Sequence, residues 1–205
     1  ATVAYTVLHA GGKFGGGGYK MSGGLHGVGA SVVNALSEWL ELTAYDGKNV
    51  HFQRFERGHY DKPMEVIGQT DRTGTEVLFK ADHEIFEDTH YDYETLLTRL
   101  REQAFLNAGI RIVIKDMRDP NEPVEEVLHY EGGIKSFVSF IHQRRQLEVL
   151  HDEVIYLFKK ENDAILEIAM QYNDSYNELI LSFANNINTE EGGAHLDGFK
   201  NALTK

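Results

Sequence analysis

Residues 10–36 read AGGKFGGGGYKMSGGLHGVGASVVNAL, and this stretch determines how the first part of the chain can fold. Glycine has no Cβ atom, so a glycine-rich loop can turn its backbone N–H groups toward a bound anion. From Val28 onward the apolar residues Val32, Val33, Leu36 and Leu40 recur at helical spacing, which predicts a helix that starts where the glycines end. A helix N-terminus carries unpaired N–H groups and the positive end of the helix dipole. The stretch therefore predicts a loop that binds phosphate groups.

Two lysines, Lys13 and Lys20, lie within the glycine-rich stretch and supply compact positive charges suited to phosphate oxygens. The stretch is neither a Walker loop, which needs Gly-Lys-Ser/Thr at a fixed spacing, nor a Rossmann fingerprint, whose glycines have another order. His26 has no serine or aspartate beside it, so its main-chain N–H is predicted to matter more than its ring. For the four glycines 15–18 alone, a flexible surface loop without a ligand is the alternative.

Composition sets limits on the rest of the chain. The 205 residues are 41% apolar and 25% charged, which is typical of a globular protein rather than a disordered or fibrous one. The absence of cysteine excludes disulfides, zinc ribbons and thiol catalysis. The net charge of −12 argues against nucleic-acid binding by the surface as a whole, although a local basic patch remains open. No apolar run approaches the ~18 residues of a membrane span.

Further along, apolar periodicity predicts an α+β chain with one break, the Pro/Asn-rich residues 119–123. Strands are predicted at 40–44, 50–55, 75–80 and 110–114, with a helix at 93–104 that Asp92 caps and Gly109 ends. After the break, the spacing predicts a helix at 134–141, a three-stranded meander at 154–158, 165–172 and 178–183, and a last helix at 196–203. The predicted domains are residues 1–125 and 126–205.

Five sequence blocks, in order along essentially the whole chain, resemble the ATPase subunits of bacterial type IIA topoisomerases, which belong to the GHKL family. The blocks are residues 6–36, DRTGT (71–75), FLN (105–107), HYEGGI (129–134) and NNINTEEGGAHLDGF (185–199). The resemblance implies a partial Bergerat (GHKL) ATPase α/β sandwich over residues 1–125. A ribosomal-S5-like transducer domain over residues 126–205 would follow it.

The resemblance also implies which residues bind ATP. The implied set is Lys13, Tyr19 and Lys20 in the lid, Gly23, Gly24, Leu25, His26, Gly27, Val28, Gly29 and Ala30 around the triphosphate, and Thr75 near the adenine. In the family, the water-activating glutamate and the asparagine that holds Mg²⁺ lie upstream of the lid. No catalytic residue or metal ligand is therefore expected in residues 1–205, which we expect to be an inactive piece of a longer protein that uses ATP and Mg²⁺.

The function implied by the resemblance is the coupling of ATP binding and hydrolysis to closure of a dimer clamp, DNA strand passage and supercoiling. The implied partners are DNA, a second copy of the ATPase subunit, and a separate DNA-cleaving subunit in an A2B2 heterotetramer, all in the cytoplasm and without a membrane. The corresponding ATPase subunit of topoisomerase IV is an alternative within the family. A non-catalytic nucleotide-binding interaction module is an alternative from another class. The HYEGG block argues against mismatch-repair ATPases and chaperones.

Overall fold

The computed structural model describes residues 2–10, 27–162 and 164–205, and the chain forms two compact units, Ala1–His90 and Tyr91–Lys205. The described residues of the first unit form two short helices and a four-stranded antiparallel sheet. Its elements are α1 (Thr2–Thr6), α2 (Gly29–Ala35), β1 (Ser37–Asp46), β2 (Asn49–Glu56), β3 (Glu65–Gln69) and β4 (Thr73–Ala81). The strand order is β3-β2-β1-β4, so β1 and β2 are central and β4 is an edge strand.

Alternation along β1 builds the core of this unit. Leu40 and Leu42 point to one face and are buried, and Leu40 pairs with Phe55 of β2, which is also buried. The Asp46-Gly47 turn between the strands forms as predicted, with the Asp46 carboxylate accepting hydrogen bonds from the backbone N–H groups of residues 48 and 49. The bond from residue 49 is the main reason that the pKa of Asp46 falls to about 2.

Helix α2 begins at the end of the glycine-rich stretch, as the apolar spacing predicts, but it is short. It ends at Ala35, and Ser37 already belongs to β1, so Leu40, which the spacing placed with the helix, lies in a strand. The carbonyl of Leu36 accepts a hydrogen bond from the backbone N–H of Asp82, which fixes this change of direction beside the end of β4. Residues 2–9 could not be assigned from their pattern, and they contain α1.

An arginine and a buried aspartate hold the end of β4 against the turn that follows β2. Asp82 is 1% exposed and accepts a hydrogen bond from the Nε of Arg57 at 2.7 Å, while Arg57 also contacts Glu84 at 2.6 Å. The Arg57 guanidinium lowers the pKa of Asp82 below its ordinary value of 3.8, and the backbone N–H of Glu84 adds to this effect. Ionised Asp82 therefore stabilises the fold, fully above pH 3.8, and this stabilisation is lost as the pH falls through the lower pKa of the folded state.

We expect Arg57→Met to lower the melting temperature at pH 7, because Asp82 keeps its buried charge and loses its partner. Since the folded pKa lies below 3.8, the contribution is complete at pH 7 and is lost as the pH falls through the folded value, so the difference from the native protein narrows at pH 3. Circular dichroism melts at both pH values measure this. Arg54→Met, which removes the pairs of a partly exposed arginine with Glu41 on β1 and Glu56 on β2, is the control. Equal shifts in the two variants would contradict the prediction.

The second unit contains three helices and three two-stranded ladders. Its elements are α3 (Tyr93–Leu106), β5 (Arg111–Asp116), β6 (Val124–His129), α4 (Gly133–Arg145), β7 (Ile155–Glu161), β8 (Ala164–Met170), β9 (Phe183–Ala184), β10 (Ile187–Asn188) and α5 (Ala194–Leu203). The ladders are β5–β6, β7–β8 and β9–β10, all antiparallel. Asp92 caps α3 as predicted, because its carboxylate accepts the backbone N–H of Thr95 at 2.7 Å.

Aromatic stacking connects α3, α4 and the end of β6. Phe105 is 1% exposed, and its ring stacks on Tyr130 with centroids 3.7 Å apart and on Phe137 with centroids 4.7 Å apart. The neighbouring apolar cluster of Leu97, Ala104, Ile114 and Leu128 joins α3 to the β5–β6 ladder. Apolar residues at helical spacing on α3 and α4 therefore make this core.

The predicted three-stranded meander is wrong in its third strand. β7 and β8 pair as predicted, but residues 178–182 form no strand, and Phe183–Ala184 pairs with Ile187–Asn188 instead. Asn185 and Asn186 both have positive φ (49° and 66°), the conformation of a two-residue hairpin turn. Within the predicted strand 178–183, only Phe183 lies in a strand, and its partner is Asn188 of this hairpin.

The predicted boundary at residue 125 lies inside β6, whereas the chain divides into its two compact units between residues 90 and 91. The division into an ATPase domain and a transducer domain stays a prediction based on the resemblance. β6 and β3 were not predicted from the sequence. In residues 2–10, 27–162 and 164–205, no helix is long and apolar enough to cross a membrane.

Candidate functional site

The described end of the glycine-rich stretch leads directly into α2. Gly27 has φ +62°, a left-handed conformation that residues with a side chain rarely adopt. Val28 takes the N-cap position, and Ser31 turns its hydroxyl back to the Val28 carbonyl at 3.0 Å. Within the described chain no side chain caps the helix. The first N–H groups of α2 are therefore left without a side-chain acceptor.

Nothing among the described residues requires glycine at position 29. Its φ is not positive, and a Cβ atom built on it would meet no heavy atom within 4 Å in the structure described. Gly29 is also exposed. Glycine in a helix costs stability relative to other residues, and neither contacts with the described residues nor backbone conformation explains it here. Close approach of a ligand to the backbone is one reason for glycine at such a position.

Thr75 lies on β4 opposite Ala44, and it is exposed. Its hydroxyl makes no hydrogen bond to the described residues. Along β4 it lies six residues before Ala81, which pairs with Ser37 immediately after α2. The register therefore places Thr75 at the other end of β4 from the α2–β1 turn.

Seven of the predicted site residues lie outside the described residues. They are Lys13, Tyr19, Lys20, Gly23, Gly24, Leu25 and His26. The four predicted residues 27–30 are described and adjoin one another at the start of α2. Their roles, like that of Thr75, stay predictions.

Sequence reasoning missed one buried polar residue beside the glycine-rich stretch, Asn34. The side chain is fully buried, and its Nδ2 donates to the carbonyls of Tyr5 at 3.0 Å and Gly58 at 3.4 Å. A lone polar residue inside the apolar run VVNAL is the signal that could have found it. Asn34 thus joins the residues on both sides of positions 11–26.

Three arginine side chains line one cavity in the second unit. Arg144 and Arg145, interpreted from sequence as a solvated helix end, are exposed in the last turn of α4, where cations interact favourably with the helix dipole. They line, with Arg101, an open cavity of about 370 Å³ between α3 and α4. Arg101 is already paired with Glu126.

Among the residues described, no group of three or more histidine, aspartate or glutamate side chains could hold a metal ion.

Comparisons with known proteins agree with the sequence blocks. Residues 133–205 match the DNA gyrase B family. Over 204 residues the chain is 57% identical to the DNA gyrase B protein of Halalkalibacterium halodurans and 53% identical to that of Staphylococcus aureus, covering 99% of this chain and 31% of each relative. The chain therefore spans about a third of the length of these relatives.

A solved structure is similar to both units. It is the crystal structure of the 43K ATPase domain of Thermus thermophilus gyrase B in complex with an aminocoumarin. The TM-score is 0.81 at 35% identity, and the match covers 98% of this chain and 50% of that one. The predicted α+β fold of GHKL type is confirmed.

Proposed function

Because this chain belongs to the DNA gyrase B family, we propose that it forms the nucleotide-binding part of an ATP-driven type II DNA topoisomerase subunit. In the whole protein, ATP binding and hydrolysis drive closure of a dimer clamp, DNA strand passage and supercoiling. The observation that carries the proposal is Gly29 at the end of a glycine-rich stretch. Gly29 is an exposed helical glycine that neither φ nor contacts with the described residues explain. Close approach of a triphosphate to the backbone accounts for it.

Each proposed binding residue has a physical role. Lys13 and Lys20 neutralise phosphate charge, and Tyr19 lies between them in the sequence. The main-chain N–H groups of residues 23–30 donate to the phosphate oxygens. Thr75, whose hydroxyl is uncommitted within the described chain, orders the base pocket.

Hydrolysis needs a group that orients and activates water, and we assign none in residues 1–205. Mg²⁺, whose ligands we place outside this chain, would neutralise charge on the β- and γ-phosphates when it is bound. The proposed partners are DNA, a gyrase A-type cleavage subunit in an A2B2 heterotetramer, and a second copy of the ATPase region. We place the protein in the cytoplasm.

The test uses the intact gene product that carries this sequence, combined with its gyrase A-type partner. We expect Mg²⁺-dependent ATP hydrolysis and ATP-dependent supercoiling of a relaxed plasmid. Failure to bind ATP would overturn the proposal. Nucleotide binding without turnover would favour the non-catalytic interaction module, and decatenation without supercoiling would favour the ATPase subunit of topoisomerase IV.

A further inference from the structure

The open cavity between α3 and α4 combines apolar and positively charged side chains. Its apolar lining includes Phe137 and Ile141 of α4, together with Leu179 and Leu181 from the segment between β8 and β9. Both leucines are at least 40% exposed. The volume of about 370 Å³ lies in the range of ~300–1,000 Å³ that is typical of ligand sites. Exposed apolar groups around a concave surface indicate a binding site.

Two arginines of the cavity have no partner of opposite charge. The other charged residues in the lining, Arg101 and Glu102, are each paired within the described residues. Arg144 and Arg145 are exposed and pair with no described carboxylate. Their guanidinium groups are therefore free for an anion, in a chain whose net charge is −12. A guanidinium group matches the geometry of a carboxylate and binds it through two parallel hydrogen bonds.

The segment 178–182 also presents backbone groups that have no partner. Leu179 and Leu181 both line the cavity, while Ile180 between them is less exposed, and this alternation is that of a strand. Among the described residues, the backbone groups of residues 178–181 make no hydrogen bond to another backbone group. A strand-like segment with free N–H and C=O groups can pair with an extended peptide.

We propose that this cavity binds an acidic peptide segment of a partner protein, in which large apolar side chains lie between carboxylates. The apolar side chains enter the cavity, the carboxylates bind Arg144 and Arg145, and the peptide backbone pairs with residues 178–181. DNA would supply phosphates to the arginines but would leave the apolar lining uncovered. A wholly apolar segment would leave both arginines without partners. None of the lining residues belongs to the predicted ATP-binding set, so the inference does not depend on the proposed function.

The probe is a fluorescein-labelled synthetic peptide, Glu-Glu-Phe-Ser-Leu-Glu-Glu, added to the intact gene product at low salt. Fluorescence anisotropy should show saturable binding with a micromolar Kd. Two control peptides separate the contributions of charge and apolar contact. One has lysine in place of every glutamate, and the other has serine in place of the phenylalanine and the leucine. Each should bind about tenfold more weakly or not at all, because it lacks one of the two features that the cavity matches.

The deciding variant replaces both free arginines, Arg144→Gln with Arg145→Gln. We expect the Kd of the acidic peptide to rise about tenfold, because both exposed charge pairs are lost. The matched control is Lys159→Gln with Lys160→Gln, which removes two adjacent exposed cations from β7, outside the cavity lining. This control lowers the net charge equally and should leave the Kd unchanged.

A second variant tests the apolar lining. Leu179→Ser should also weaken peptide binding about tenfold, since the apolar surface that the peptide covers is lost. Its control is Leu157→Ser on β7, where a leucine of similar exposure lies outside the cavity lining. This change should leave the Kd unchanged.

Several outcomes would overturn the proposal. The native protein could fail to bind the acidic peptide, or a control variant could weaken binding as much as its partner variant. A short DNA duplex that displaces the peptide, and that no longer binds the arginine variant, would assign the cavity to nucleic acid. Sedimentation at the assay concentration tests a second copy of this chain. A dimer that the native protein forms and the arginine variant lacks would make that copy the occupant instead.

Discussion

The Gly29→Leu variant of the intact gene product is expected to lose ATP binding while keeping its fold. A leucine Cβ at this position meets no heavy atom of the described structure, and leucine is a better helix former than glycine. The melting temperature should therefore stay equal or rise. The side chain would fill the space that we assign to the triphosphate, and several charge-assisted hydrogen bonds, roughly 1.5–3 kcal/mol each, would be lost. The expected fall in affinity is about 100-fold or more.

Gly198→Leu is the matched control for this variant. Gly198 is also a helical glycine with ordinary φ, and a Cβ built there likewise meets no heavy atom within 4 Å among the described residues. The same substitution should stabilise α5 and leave nucleotide affinity unchanged. Calorimetric titration with a non-hydrolysable ATP analogue measures both variants. Native affinity in Gly29→Leu would show that no phosphate group approaches this backbone.

The Phe105→Ala variant is expected to have the largest effect on stability. Phe105 is almost fully buried and stacks on both Tyr130 and Phe137, so its removal leaves a cavity where α3, α4 and the end of β6 meet. Such truncations cost about 3–5 kcal/mol. Hydrogen exchange at amides of α3 and α4 measures the loss as a lower free energy of opening.

Phe158→Ala provides the comparison for Phe105→Ala, because the Phe158 side chain lies on β7 and is 54% exposed. The change in size is identical, while the expected loss is below about 1 kcal/mol. Unchanged exchange at α3 in Phe105→Ala would mean that the aromatic stack does not support this core.

Local signals in the sequence predicted much of the fold. The Asp46-Gly47 turn and the Asp92 cap depend on residues close in the chain, and both formed as predicted. β3 could not be predicted, since all five of its residues are exposed and no alternation marks it. Residues 178–182 have a strand-like composition, yet the Asn185-Asn186 turn makes its own short hairpin. Strand pairing depends on which segments meet in the folded chain, and the composition of a single segment does not show this.

For the candidate site, the sequence predicted the order of loop and helix because glycine density and apolar spacing are visible in the letters. It could not predict that a Cβ atom on Gly29 would meet none of the described residues, since that depends on what surrounds the backbone. Asn34 was missed for a similar reason. Its burial and its hydrogen bond to the carbonyl of Tyr5, 29 positions earlier, exist only in the folded chain, where α1 lies beside α2.

β4 has a practical consequence for work with this polypeptide. It is a nine-residue edge strand, and Val77, Leu78 and Phe79 are each at least 40% exposed. Its outer row of N–H and C=O groups meets no other described strand, and a long apolar edge of this kind templates pairing with another copy. The polypeptide of residues 1–205 should therefore self-associate through β4 at high concentration. Replacing Leu78 with a charged residue is the simplest way to reduce this self-association.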